Sequence, residues 1–185
     1  MSRPLLVLEN LQTNARVRLG RLWGVRVSAT RFAWLNPVIY FLLGVVLTFP
    51  LRDLDWPARL AIGFRFMLAV AIALAVHALG HIASGKLVGS PMDELVIAST
   101  RGLNVYEGDQ RRYPRRVHLG RALGGPVANL IVAGLVLVAL QGLAPGSGRE
   151  LVERIVSVNL FLGLGSFLPL PSVDGEVIWR ELLQR

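Results

Sequence analysis

The sequence predicts an all-α polytopic membrane protein, with about four transmembrane helices and small cytoplasmic β-hairpins. Three observations carry that reading. Only 17% of the 185 residues are charged and 53% are hydrophobic, where soluble domains average about 25% charged and about 45–50% apolar. Mean hydropathy is +0.52, and the apolar residues gather into four long runs. The arginines concentrate in two of the segments outside those runs. The length suits one compact bundle rather than two domains.

The elements follow in order. Residues 1–31 form a basic arm holding six arginines. Its first ten residues carry only the short apolar run Leu5–Leu8, too short for a signal-peptide core, so no cleavage is expected. Between Arg16 and Ser28 basic and apolar side chains partly alternate, which predicts a β-hairpin turning near Gly20–Gly24 and lying against the membrane surface. Residues 32–185 form the transmembrane core.

Within that core, residues 32–49 are uncharged and stop at Pro50. Residues 60–87 exceed what a hydrocarbon layer of ~30 Å requires at ~1.5 Å per residue, and carry Arg65, His77, His81 and Lys86. Asp53 or Asp55 is the expected partner of Arg65, since a lone charge in a span is costly. Residues 123–143 are opened by Gly124-Gly125-Pro126 and closed by Ala144-Pro145-Gly146. Residues 152–168 end at Pro169 and Pro171, and a short helix from Gly175 to Leu183 finishes the chain. Between the second and third spans, 93–100 and 103–106 can pair as a small hairpin.

Charge sets the expected orientation. The arm and the segment 91–121 hold six arginines each, whereas the short connections 50–59 and 142–152 hold three between them. Arginine-rich connections stay in the cytoplasm, so both termini and residues 91–121 are expected inside, in a prokaryotic inner membrane. That places His77 and His81 toward the cytoplasmic half of the second span. Trp23, Trp34, Trp56 and Tyr40 are expected interfacial anchors. The net charge of +8 is accounted for by this bias and not by nucleic-acid binding, because no separate basic domain exists. The absence of cysteine excludes disulfides, thiol catalysis and zinc-thiolate sites.

Two residues carry the chemistry inside the second span. His77 and His81 are four apart and therefore lie on one helical face, one turn above the other. Two imidazoles so placed can reach one metal ion, as in the zinc-binding H-x-x-x-H helix, or can serve as interhelical hydrogen-bonding groups. Asp174 follows the last span after two helix-breaking prolines. It is either the N-cap of the final helix or a third ligand. Two histidines and a carboxylate leave a fourth position for water, the arrangement of catalytic zinc. Asn129 reads as an interhelical hydrogen-bonding group, while Gly124, Gly125, Ala128 and Gly134 read as close-packing positions. His118 reads as a surface residue.

Taken together, these residues resemble the site-2 protease family of intramembrane zinc metalloproteases. That family combines H-E-x-x-H on one span, G-P-x-A-N on a later one, and N-x-x-P-x-x-x-x-D-G after the last. The counterparts here are His77 to His81, then Gly125-Pro126-Val127-Ala128-Asn129, then Ser166-Phe167-Leu168-Pro169 continuing to Asp174-Gly175. Leu19–Val27 also resembles the family's segment before its first span. The resemblance covers almost the whole chain and implies a minimal site-2-protease-like core, zinc held by His77, His81 and Asp174, and membrane-embedded or membrane-proximal peptide or protein substrates.

Two departures bear on activity. Ala78 stands where the family has its glutamate, the group that takes a proton from the attacking water and gives it to the leaving amine. Ser166 stands where the family has an asparagine, which helps hold the substrate strand or the developing oxyanion. Glu176 as a substitute base is disfavoured, because it is expected to face solvent in the first helical turn. The sequence thus leaves three readings: a zinc metalloendopeptidase scaffold impaired or inactive at Ala78, a non-catalytic client-binding pseudoprotease, and a small metal or proton conduit through His77, His81 and Asp174.

Overall fold

The computed structural model describes residues 16–183; the expectation about residues 1–10 lies outside them. The order is β1 (Arg16–Leu22), β2 (Val25–Thr30), α1 (Leu35–Val46), α2 (Trp56–Leu87), β3 (Glu94–Ile97), β4 (Gly102–Val105), a short 3₁₀ turn (Gln110–Arg112), α3 (Arg115–Leu140), α4 (Ser147–Gly165) and α5 (Asp174–Leu183).

The chain is helix-rich but not all-α. The two expected hairpins are joined into one four-stranded sheet of order β1-β2-β3-β4. β1 and β2 are antiparallel around Trp23 and Gly24, both at positive φ, which is the backbone demand of a I′ hairpin turn. β2 and β3 then pair in parallel, Arg26 opposite Glu94 through Ala29 opposite Ile97, and β3 turns back on β4. Parallel pairing needs a long crossover, and α1 and α2 supply it. Val25 of β2 and Leu95 of β3 bury against Ile82 of α2 and Met92. This cluster seats the sheet on the histidine-bearing end of α2.

Helix lengths depart from the four-span expectation. Among the described residues, α2 and α3 are the two helices long and apolar enough to cross a membrane. α1 covers 12 residues, less than the expected 32–49. The reason lies in Arg59, whose guanidinium donates to the carbonyls of Thr48 at 2.6 Å and Leu51 at 2.7 Å, and whose Nε donates to that of Leu54 at 3.1 Å. These bonds satisfy backbone acceptors that a longer helix would otherwise consume. α4 starts at Ser147, so its first turns carry Arg149, Glu150, Glu153 and Arg154. α3 starts at Arg115, two turns before the expected opening, and runs through Pro126.

Close packing centres on α3, which touches α2, α4 and α5. At the α2–α3 crossing a side chain on Gly80 would meet Ala128 Cβ at 2.6 Å, and one on Gly124 would meet the Gly80 carbonyl oxygen at 2.5 Å. Gly134 differs from the expectation: nothing lies within 4 Å of the space a side chain would fill. Arg65 of α2 pairs with Glu150 of α4 at 2.8 Å, not with Asp53 or Asp55, because α4 brings its first turn alongside α2. Trp23, Trp34 and Trp56 are exposed, and the Tyr40 hydroxyl donates to the Thr100 carbonyl at 2.6 Å.

Candidate metal centre

α2 presents His77 and His81 one turn apart, with ring centroids 4.7 Å from each other and planes at 77°. Their Nε2 atoms are 3.0 Å apart. The loop after α4 brings Asp174 back to them. Asp174 Oδ2 lies 3.1 Å from His77 Nε2, and Oδ1 lies 3.3 Å from His81 Nε2. The ligand atoms of the three residues all fall within 4.8 Å of one another, a grouping that can hold a metal ion.

Asp174 is the first residue of α5, and its carboxylate turns to the histidines. The helix start is served by Glu176, which accepts from the Ser172 backbone N–H at 2.7 Å. The return is made close by Gly175, where a side chain would meet the Leu168 carbonyl carbon at 2.6 Å.

The far side of each ring is tied to protein. His77 Nδ1 is 2.7 Å from Asn129 Oδ1, and His81 Nδ1 is 2.8 Å from the Arg121 carbonyl. The Asn129 amide nitrogen donates to the Ala73 carbonyl at 3.0 Å and to Asn159 Oδ1 at 2.8 Å. Asn159 in turn donates to the Ile155 carbonyl at 2.8 Å. Both asparagines are fully buried. This chain orients the Asn129 amide with its oxygen toward His77, so Nδ1 of His77 is the protonated nitrogen. A backbone carbonyl can only accept, so the same holds for His81.

The consequence is chemical. Neutral rings protonated at Nδ1 point bare Nε2 lone pairs at each other and at two carboxylate oxygens. Four acceptor atoms cannot share 3 Å separations without positive charge between them. A divalent cation satisfies all of them at once, and ligating histidines whose other nitrogen is tied to a carbonyl or amide are the usual form of a metal site. The donor set, two imidazoles and a carboxylate with no sulfur, fits zinc in an open coordination shell. Gly125 of α3 faces the centre so closely that a Cβ there would lie 2.5 Å from both Nε2 atoms. Backbone alone fits on that side.

Ala78 and Ser166 share the site. A cavity of about 670 Å³ is lined by His77, Ala78, His81, Ser166 and Asp174 together with Tyr106. The methyl group of Ala78 packs against the cluster of Val25, Ile82, Met92 and Leu95, and Ser166 is buried at the end of α4.

In the structural comparison, the site-2 protease from Methanocaldococcus jannaschii superposes on this chain with a TM-score of 0.64, covering 91% of this chain and 72% of that one, at 18% sequence identity. The fold is that of a site-2 protease. No family model and no curated protein matches the chain.

Within this site-2-protease-like fold, several residues escape the sequence reading. Asn159 completes the chain behind His77, and its signal is a polar amide in the middle of an apolar helix. His118 is half-buried and lines the cavity. Arg121 is buried and donates to the Ser90 carbonyl at 2.9 Å and to Gln110 Oε1 at 2.8 Å, as well as to the Ser90 hydroxyl. Glu176 is exposed, as its place in the first turn predicts.

Proposed function

We propose that this chain is a site-2-protease-like intramembrane metalloprotease scaffold that holds zinc through His77, His81 and Asp174 and admits a membrane-embedded or membrane-proximal peptide. The observation that carries the reading is the convergence of two Nε2 lone pairs and a carboxylate, with both opposite ring nitrogens tied down by protein. In the membrane, α1 and α4 accompany α2 and α3 as the remaining spans, and both termini face the cytoplasm of a prokaryotic cell.

Zinc bound there supplies a Lewis acid that polarises a peptide carbonyl and makes water a better nucleophile. The chain's own residues would hold and orient that centre. What they do not supply is a proton carrier at position 78. A methyl group neither accepts the proton of the attacking water nor returns it to the leaving amine, and loss of such a group costs typically ~10²–10⁴-fold. Peptide hydrolysis by the chain as it stands is therefore crippled.

The packing of Ala78 into the apolar cluster favours a second reading, a pseudoprotease that binds helical clients without cutting them. The test is detergent-purified protein with a model transmembrane substrate, before and after Ala78→Glu, alone and with Ser166→Asn. Cleavage rising by ~10²-fold or more in the Ala78→Glu form supports the protease scaffold. Client binding with no cleavage in any form supports the pseudoprotease. Robust cleavage by the unaltered chain would refute the assignment of Ala78 as the missing base.

A further inference from the structure

The Tyr106 hydroxyl is buried and has no hydrogen-bond partner among the described residues. Buried hydroxyls are almost always paired, so an orphan of this kind calls for a partner from outside the protein. The ring is held in place. The Arg121 guanidinium lies 4.0 Å from its centroid, and the ring rests on the same Val25, Ile82, Met92 and Leu95 cluster as Ala78. Arg121 is itself fixed by Ser90 and Gln110, so the ring has no loose neighbour to follow toward another acceptor.

Tyr106 lines the cavity that also contains His77, His81 and Asp174. Of the side chains that flank it on the apolar cluster, none offers a polar atom, Ala78 included. We propose that the Tyr106 hydroxyl donates a hydrogen bond to an oxygen of the ligand occupying the open position of the metal centre, a peptide carbonyl in a substrate or a hydroxamate in an inhibitor. This inference rests on the zinc reading above. It makes Tyr106 a ligand-recognition group on the side of the site where the motif carboxylate is missing.

The test is binding of acetohydroxamate to the zinc-loaded full chain in detergent. Tyr106→Phe keeps the ring and its packing, so zinc content and zinc affinity stay unchanged while the Kd for acetohydroxamate rises about tenfold, the loss of one hydrogen bond to a charged ligand. As a check independent of the variant's folding, 3-fluorotyrosine at position 106 should show a ¹⁹F shift when acetohydroxamate is added. An unchanged Kd in Tyr106→Phe, a ¹⁹F signal indifferent to the ligand, or failure of the zinc-loaded chain to bind acetohydroxamate would each overturn the inference. A chain that takes up no zinc would overturn the metal reading and this inference with it.

Discussion

Asn129 holds His77: its side-chain oxygen accepts from Nδ1 at 2.7 Å while its nitrogen donates to Asn159 at 2.8 Å. The relay passes from α4 through α3 to α2 and fixes which nitrogen of His77 faces the centre. Replacing Asn129 with Leu removes the acceptor and leaves Asn159 Oδ1 without its donor. Metal affinity should fall ~10–100-fold, the usual effect of losing an outer partner of a ligating histidine. Competition with a chromophoric chelator measures it, and an unchanged affinity would remove Asn129 from the site.

Gly125 tests the same centre by steric means. Ala at this position puts a methyl carbon about where the histidines meet the ion, 2.5 Å from both Nε2 atoms in the present geometry. Gly125→Ala should retain helical circular dichroism and lose bound zinc. Full zinc occupancy in this variant would show that the centre lies elsewhere.

Arg59 tests the end of α1. Arg59→Ala strips partners from the carbonyls of Thr48, Leu51 and Leu54. The Thr48 and Leu51 carbonyls keep backbone donors at 2.9 and 3.5 Å, so the cost is that of partly exposed hydrogen bonds, about 1 kcal/mol. Unfolding in a detergent titration should shift by that amount, with faster hydrogen exchange confined to the last turn of α1 and the connection to α2.

The ion pair of Arg65 and Glu150 joins α2 to α4, but Glu150 is half-exposed. Solvent screening limits such a pair to about 1 kcal/mol. Glu150→Gln should lower stability by no more than that and leave zinc content untouched. Arg65→Met, which removes the buried cation altogether, should be neutral or mildly stabilising.

Sequence periodicity makes part of this legible and leaves part hidden. His77 and His81 stand out because four-residue spacing inside an apolar helix fixes a shared face. Asp174 stands out because prolines on both sides of Leu170 force the chain to turn. The sheet shows only as two hairpins, since parallel pairing of β2 with β3 is a contact across more than 60 residues that no local pattern encodes. The start of α3 is hidden by its arginines, which set Arg115 to Arg121 in an arginine-rich connection before the expected span although they are helical. The partner of Arg65 is misread for a similar reason: Asp53 and Asp55 are near in sequence, but Glu150 is near in space. Asn159 and Tyr106 matter only through what they touch.

Zinc is proposed to sit on two imidazoles and one carboxylate. X-ray absorption on zinc-loaded protein tests this placement most directly, comparing the unaltered chain with Asp174→Ala. Expected are one zinc per chain, a first shell of nitrogen and oxygen at ~2.0–2.2 Å with outer scattering from two imidazoles, and loss of zinc in the variant. A chain that takes up no zinc, or one whose first shell is unchanged without Asp174, would contradict it.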